Sequence, residues 1–520
     1  MPLTISNLPF NNDGISECRI ASDILASGHL DYPDGSFYIA SHTAVTPAYD
    51  ILLASTASAI GVTPLEVAQA VVAVFSVITV VGIYLISFQI TKSRPASLTA
   101  AFTLSLLGTF VYLTGSTWKE SLGVALLIVV TYAYMNRSRK EMFALELTIL
   151  AIFPIVHHYI TLLVYLILAT LTLWSVVRAA MVRKLLRRHL LDSAVLGVVG
   201  VAAYMYYRAE SLDRLAYISG EGGFVLFALS FAVVSGAVLV LLARRSHSRY
   251  TFAYVPASFI LGLFVYDYYF PVFPYSQGSP EYVLMLGITS SIIIGFAWFG
   301  FESILETKSV YRSIPLGMLA PALTLILFAF MSGLDRAGHQ IVYRTFDFAD
   351  PALAVGIACA VASMKRQSLR KLSVIALLGM LLISFPFGYA TNTLTGIRHD
   401  TQDYEVDALS WVYSVSNHTY SLHSDERISY NARAFYDYSK CAYLPSKLAN
   451  REALSLSPWY VLLEEWTTIG VSDYPNGRPI LDEDYVLSVL SESDVYFVGG
   501  PSDNNIVVFS VSSVSNTEQP

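Results

Sequence analysis

The chain has 520 residues, of which 54% are hydrophobic and only 14% are charged, with a formal net charge of −7. Soluble globular proteins carry about 25% charged residues, so this composition excludes an ordinary soluble protein and indicates a membrane protein. The negative charge and the lack of a basic block argue against nucleic acid as a partner. The cysteines Cys18, Cys359 and Cys441 form no C-x-x-C pattern, so no zinc or redox motif is indicated.

The chain begins with a polar segment that carries acidic residues, Asn11–Asp50. Its first part reads NNDGISE, in which Asp13 and Glu17 stand four residues apart. A carboxylate in such a loop can accept a proton from an attacking sugar hydroxyl, or it can ligate a divalent cation. Asn-Asp-Gly is also favourable turn chemistry, so an Asx-type turn is the alternative interpretation of Asp13.

The next segment, Thr46–Gly61, is apolar but contains Pro47 and Asp50. It is too short and too interrupted to cross a bilayer, so we expect a helix that lies along the membrane interface. Residues 1–64 are therefore predicted to form an extracytoplasmic acidic loop followed by an interfacial helix.

Twelve apolar spans follow between Val67 and Ala390, and they predict a polytopic α-helical membrane domain over residues 65–390. Lys and Arg are concentrated in every second loop between these spans. Basic loops are cytoplasmic, which puts both the N-terminal loop and the C-terminal tail on the outside of the cell membrane. An N-terminus on that side needs a helix to carry it across, so we expect a thirteenth span upstream of Met1.

The composition changes after the last span, and residues 391–520 predict a small extracytoplasmic α/β domain. Its strand-like runs are Tyr460–Glu464, Val495–Gly499 and Asn505–Ser510. Its helix-like runs are Tyr404–Ser414 and Asp482–Ser491.

Ionisable residues gather at the predicted outer ends of the spans, whereas the span centres are almost free of them. A charge at the middle of a bilayer costs about 2.5–3.5 kcal/mol or more, so ionisable residues near spans are candidates for function. A transporter would carry such residues near the midplane, and this distribution favours a site at the outer face instead. The candidates outside the N-terminal loop are Lys119, Glu120, His157, His158, His339 and Arg344.

Lys119 and Glu120 begin a span directly after Trp118. We expect Lys119 to contact a lipid phosphate, and Glu120 to bind a metal ion or the acceptor. The alternative is an interfacial anchor, in which Trp118 belongs to the aromatic belt and the Lys119 ammonium reaches the headgroups.

Two further candidates are a histidine pair and an arginine. Adjacent histidines on a helix point in different directions, so His157 and His158 are not expected to share a metal ion. One of them is a candidate for binding a phosphate or a hydroxyl, and an interfacial hydrogen-bonded pair is the alternative. The planar, permanently charged Arg344 suits a lipid-linked phosphate, and a local ion pair with Asp347 or Asp350 is its alternative.

This architecture, together with four short segments, resembles the GT-C superfamily of membrane glycosyltransferases. The resemblance is closest to archaeal members related to protein mannosyltransferases and to the catalytic subunits of oligosaccharyltransferases. The segments are NNDGISE at Asn11–Glu17, TWKE at Thr117–Glu120, HHYIT at His157–Thr161, and Asp407–Trp411 followed by Ser424–Arg427. The sequence departs from the family pattern in two respects. It lacks the helix that the family carries before the acidic loop, and it lacks the Trp-Trp-Asp-Tyr-Gly motif with which oligosaccharyltransferases read the sequon. Asp473–Gly477 matches that motif only faintly, so transfer of oligosaccharide to asparagine is not expected.

The resemblance implies a sugar donor carried on a polyprenyl phosphate such as dolichol phosphate, and transfer with inversion to a glycan, protein or lipid acceptor. It also implies that the acid of the first outer loop, here Asp13, is the catalytic base or a metal ligand. We expect Arg344, with Lys119 or His339, to stabilise the phosphate. Asp13, Glu17 and Glu120 are the candidate ligands if the protein binds Mg²⁺ or Mn²⁺.

A transporter and a non-catalytic scaffold are the two alternative functions. A transporter or flippase of lipid-linked glycans predicts polar lining through the spans and internal repeats, and the sequence contains neither. A non-catalytic scaffold of the same architecture is compatible with the departures from the family pattern.

Overall fold

The computed structural model describes residues 12–30, 46–181, 187–209, 221–243, 280–307, 313–333, 336–384, 401–416, 420–436, 441–456, 458–468, 480–501 and 504–511, with a few short stretches between them. The helices that precede the C-terminal domain are α1 (Asn12–Ser27), α2 (Ala48–Ile60), α3 (Pro64–Thr91), α4 (Arg94–Leu106), α5 (Gly108–Gly115), α6 (Lys119–Met135), α7 (Lys140–Val156), α8 (His158–Met181), α9 (Arg187–Ala209), α10 (Glu221–Ala243), α11 (Pro280–Leu305), α12 (Ile314–Met331), α13 (Arg336–Ser363) and α14 (Gln367–Ser384).

Several of these helices are long and apolar enough to cross a membrane. Within the described residues, five helices, α3, α8, α10, α11 and α12, meet this criterion by length and composition. The pair α4 and α5, bent by 63° around Leu107, makes a sixth if it forms one span. The predicted class of polytopic α-helical membrane protein with a C-terminal α/β domain is therefore confirmed. The number of spans stays a prediction, and the span predicted after residue 250 lies mainly outside the described residues.

The break between α4 and α5 is stabilised by a side chain from another helix. Asp350 of α13 is buried, and its carboxylate accepts hydrogen bonds from the Thr109 hydroxyl and the Phe110 backbone N–H. The first N–H groups of a helix have no partner within it, and hydrocarbon supplies no water to satisfy them. Asp350 therefore caps α5 from outside that helix.

Helices α11 and α13 pack closely because glycine faces glycine. A Cβ atom added at Gly300 would lie 1.7 Å from the backbone oxygen of Gly356. One added at Gly356 would lie 2.8 Å from the backbone oxygen of Ala297. Small residues allow membrane helices to approach to this distance and to gain packing energy there.

The C-terminal domain contains a five-stranded sheet flanked by helices. Its elements are α15 (Asp403–Ser416), β1 (Leu422–Ser424), α16 (Glu426–Tyr436), β2 (Cys441–Tyr443), α17 (Pro445–Ala449), β3 (Trp459–Leu463), α18 (Glu465–Thr468), α19 (Glu483–Ser491), β4 (Ser493–Gly499) and β5 (Ile506–Val511). The strand order is β2-β1-β3-β5-β4; β1 is parallel to β2 and β3, and β5 is antiparallel to β3 and β4.

The three predicted strands correspond to β3, β4 and β5, and the two predicted helices correspond to α15 and α19. Strands β1 and β2 were not predicted, because three residues are too few for an alternating pattern. The predicted boundary of this domain at residue 390 lies outside the described residues.

Helix α1 lies between the membrane helices and the C-terminal domain. It packs on α2 and α3 on one side and on α16 on the other. Arg19 of α1 donates a hydrogen bond of 3.1 Å to the backbone oxygen of Ala434, and it pairs with Asp23 at 2.9 Å. The buried thiol of Cys18 donates a hydrogen bond to the backbone oxygen of Pro64. Cys18 and Cys441 are not joined by a disulfide bond.

We predict that Gly300→Ala lowers the free energy of unfolding by about 1–3 kcal/mol, because the added methyl group collides with the backbone of α13. Thermal unfolding of the detergent-solubilised protein measures the change. Gly379→Ala in α14 is the matched control, since a Cβ atom there has no neighbour within 4 Å. Equal midpoints for the two variants would contradict the close helix contact.

Candidate functional site

The site is built around the first two residues of α6, Lys119 and Glu120. Consecutive side chains on a helix point about 100° apart, so these two opposite charges face different surroundings. Lys119 faces α1 and α2, whereas Glu120 faces the corner between α7 and α8 and one side chain of α13. One helix start therefore connects two groups of ionisable residues.

The first group consists of Lys119, Glu17 and Asp50, and we call it the buried triad. The Lys119 ammonium lies 3.0 Å from Oδ2 of Asp50, 3.2 Å from Oε2 of Glu17, and 2.9 Å from the backbone oxygen of Thr46. The side chains of Lys119 and Glu17 are each 7% exposed, and that of Asp50 is 0% exposed. The ammonium is thus surrounded by oxygens from two elements that precede it in the chain.

Burial sets the electrostatics of the triad. The pKa of Glu17 is raised well above its ordinary value, first by burial and then by the negative charge of Asp50, while Lys119 opposes the shift. The carboxyl oxygens of Glu17 and Asp50, within 3.2 Å of the Lys119 nitrogen, favour its charged form.

The second group consists of Glu120, His157 and Arg344. Oε1 of Glu120 lies 3.3 Å from Nε2 of His157 and 3.4 Å from Nη1 of Arg344. Burial, followed by the charges of Arg344 and Lys119, holds the pKa of His157 well below its ordinary value, so its imidazole is neutral at pH 7. The His158 ring stacks on the His157 ring with centroids 4.6 Å apart. The side chain of Arg344 is 43% exposed, the most accessible of this group.

The corner that carries the histidines depends on hydroxyl groups. Pro154 lies inside α7 and has no N–H, so the carbonyl of Leu150 lacks its helical donor and accepts the Tyr165 hydroxyl instead. Tyr207 donates to the carbonyl of Pro154 at 2.9 Å. The Thr161 hydroxyl donates to the carbonyl oxygen of Phe153 at 2.8 Å, across the break. The hydroxyls of Tyr165 and Tyr207 therefore replace backbone hydrogen bonds that Pro154 and the break remove.

The same corner is attached to α13, the helix of Arg344. The Tyr159 hydroxyl hydrogen-bonds with Thr345, the neighbour of Arg344, and lies 3.4 Å from the carbonyl oxygen of Ile341. The Tyr159 ring also packs on Phe348, with centroids 5.5 Å apart. The HHYIT segment thus fixes the backbone on which Arg344 stands.

The structure brings most of the predicted site residues together. Glu17, Lys119, Glu120, His157, His158 and Arg344 lie in the two connected groups. The backbones of Asp13 and His339 lie in α1 and α13, and their side chains lie outside the described residues. The catalytic and substrate-binding roles of all these residues stay predictions.

The structure brings Arg344 to Glu120 and separates two of the predicted metal ligands. Arg344 meets Glu120 rather than Asp350, which caps α5, and the Asp347 side chain is outside the described residues. No group of three His, Cys, Asp or Glu side chains within the described residues is arranged to hold a metal ion. Glu17 faces Lys119 while Glu120 faces Arg344, so these two carboxylates do not form a common site.

Asp50 was not predicted as a site residue. It lies in the segment that the sequence assigned to an interfacial helix, and α2 does form there. The only signal in the sequence is an acidic residue within an apolar run, and its partners are distant in the chain.

No protein-family model matches the chain, and no curated protein sequence matches it. Two solved structures that it resembles at low similarity are those of ArnT from Cupriavidus metallidurans, in the apo state and bound to undecaprenyl phosphate. The apo structure is 12% identical, covers 96% of this chain and 95% of that protein, and has a TM-score of 0.37. The bound structure is also 12% identical, and the match covers 98% of this chain and 96% of that protein, with the same TM-score of 0.37. At this similarity the comparison assigns no activity and no residue role to this chain.

We predict that Tyr207→Phe lowers the free energy of unfolding by about 1–3 kcal/mol, because the buried carbonyl of Pro154 loses its donor. Thermal unfolding measures this change. Tyr204→Phe on the same helix is the control, because Tyr204 is 52% exposed. A Tyr207→Phe variant as stable as this control would contradict the proposed support of the corner.

Proposed function

We propose that this protein is a GT-C-type membrane glycosyltransferase that transfers a sugar from a polyprenyl-phosphate donor to an acceptor hydroxyl at the outer face of the membrane. One observation carries the proposal. Three of the segments that resemble the family, NNDGISE, TWKE and HHYIT, are far apart in sequence and meet at the start of α6. They meet together with Arg344, where charged side chains join the apolar helices.

Arg344 suits the phosphate of a lipid-linked donor. Its guanidinium is permanently charged and half-exposed, and Glu120 orients it from α6. A planar guanidinium forms paired hydrogen bonds with phosphate oxygens. A lipid donor also accounts for a charged site at the end of apolar helices, because the polyprenyl chain stays in the hydrocarbon while the phosphate reaches the site.

Asp13 is our proposed catalytic base. It lies on α1 one turn before Glu17, and residues four apart share one face of a helix. In a single inverting step, the acceptor hydroxyl would lose its proton to Asp13 as its oxygen bonds to the anomeric carbon. The bond from that carbon to the phosphate oxygen breaks at the same time, and Arg344 stabilises the departing phosphate.

We predict that Asp13→Asn lowers kcat by about 10²- to 10⁴-fold, the range expected on removing a general base, while donor binding is retained. Sugar release from a panel of polyprenyl-phosphate sugars in proteoliposomes measures kcat. Asp484→Asn is the control, since Asp484 is an exposed carboxylate on α19 of the C-terminal domain. Equal turnover of the wild type and Asp13→Asn would remove Asp13 from the mechanism. A folded wild type without turnover on any donor would favour the scaffold function.

We predict that Arg344→Gln raises the Kd for the lipid-linked donor by about 10- to 100-fold, which corresponds to loss of a charge-assisted hydrogen bond. Arg344→Lys keeps the charge but not the planar group, so its Kd should lie between those of the wild type and Arg344→Gln. Arg451→Gln is the control, because Arg451 is 65% exposed and pairs with Asp482 in the C-terminal domain. An unchanged Kd for Arg344→Gln would exclude Arg344 as the phosphate ligand.

A further inference from the structure

We infer that the buried triad of Glu17, Asp50 and Lys119 positions helix α1 against the start of α6, and that Lys119 does not bind the donor phosphate. The inference rests on the proposed function, and it assigns a role to Asp50, for which the sequence indicated none. It also replaces the sequence-based expectation that Lys119 contacts a lipid phosphate.

The surroundings of Lys119 argue against phosphate binding. An ammonium group has three protons to donate, and three protein oxygens lie within 3.2 Å of the Lys119 nitrogen. The side chain is 7% exposed, whereas that of Arg344 is 43% exposed. A lipid phosphate would have to displace buried oxygens to reach Lys119, and it would leave Asp50 buried without its counter-ion. The accessible cation of the site is therefore Arg344.

The charge balance of the triad favours a proton on Glu17. Two buried carboxylates beside one ammonium would leave a net negative charge at a buried site, which is strongly unfavourable. Oδ1 of Asp50 is buried without a hydrogen-bond donor, and the two carboxyl groups lie within hydrogen-bonding reach of each other. One proton on Glu17, shared with Asp50, satisfies that oxygen. Oδ2 of Asp50, 3.0 Å from the Lys119 nitrogen, is the carboxyl oxygen nearest to the ammonium.

The titratable groups around the triad do not change this balance. Cys18 on α1 and Tyr49 on α2 are buried, and burial raises the pKa of both, so both stay neutral. His157, at the corner after α7, is neutral at pH 7, because burial lowers its pKa. Glu120, the neighbour of Lys119, is directed to Arg344.

The triad connects three elements that the chain order leaves far apart. Glu17 belongs to α1, Asp50 to α2, and Lys119 to α6, whose next residue is Glu120. Asp13 is one turn from Glu17, and Glu120 orients Arg344. The triad therefore sets the separation between the helix of the proposed base and the proposed phosphate ligand. A displacement of about 1 Å between catalytic groups can cost on the order of 10²-fold in rate.

The test uses the full-length protein in lipid nanodiscs and compares Lys119→Met, Asp50→Asn, Glu17→Gln and the double variant Lys119→Met/Asp50→Asn. Lys119→Met alone leaves Asp50 buried without its counter-ion and is expected to destabilise the fold. The double variant removes both charged groups, so we expect it to stay folded. We expect the double variant and Asp50→Asn to lower kcat by about 10²-fold, with less than about a 3-fold change in donor Kd. Glu17→Gln imitates the protonated acid, so its kcat should stay at least about 10-fold higher than that of Asp50→Asn.

Two results would overturn the inference. A donor Kd raised about 10-fold or more in the double variant, with kcat at saturating donor unchanged, would make Lys119 a phosphate ligand. A Glu17→Gln variant more damaged than Asp50→Asn would reverse the assignment of the shared proton.

Two measurements that do not depend on activity separate this inference from the proposed function. Amide hydrogen exchange of residues 12–27 should be faster in the double variant and unchanged in Arg451→Gln. Equal exchange in the two variants would exclude a role of the triad in positioning α1.

The second measurement is the pH dependence of stability. The pKa of Glu17 is raised on folding, so its stabilising contribution is complete below pH 4.5 and is lost as the pH rises through its pKa in the folded protein. Glu17→Gln should therefore flatten the decline of the thermal midpoint with rising pH, and an unchanged decline would contradict a protonated Glu17.

Discussion

The burial of the Lys119 ammonium at the start of α6 is the constraint on which the site depends. A charge taken out of water must meet opposite charge at short range, because the alternative costs several kcal/mol. Lys119 meets it in Asp50 and in the carboxyl group of Glu17. Both partners precede α3, so the acidic N-terminal part of the chain has to fold back onto the membrane helices. Glu120, the next residue, makes the corresponding demand on the other side, where Arg344 supplies the opposite charge and the neutral His157 imidazole lies 3.3 Å away.

The backbone around the site follows a second constraint, which is that every break in an apolar helix must be satisfied by protein groups. The break between α4 and α5 uses the Asp350 carboxylate, and the break between α7 and α8 uses the hydroxyl of Tyr207. Both groups come from helices other than the ones they complete. The breaks are thus held by tertiary contacts, and the residues beside them keep one orientation.

The sequence predicted the membrane class, three strands and most members of the two ionic groups, and it missed their pairing. Ionisable residues near apolar spans are rare enough to be found one at a time, which is how Lys119, Glu120 and Arg344 were identified. The partners suggested for Arg344 were its neighbours in sequence, whereas Glu120, 3.4 Å from it, lies on another helix. Asp50 was missed for the same reason, since periodicity reports the face of one helix and not what packs against it.

The position of α1 connects the site to the C-terminal domain. The triad holds α1 from the side of the membrane helices, while the hydrogen bond from Arg19 to Ala434 holds it from α16. Two attachments at opposite faces of a 16-residue helix mean that a shift of either neighbour reaches the first turn, where Asp13 lies. The helix of the proposed base is therefore in contact with the C-terminal domain as well as with the membrane helices.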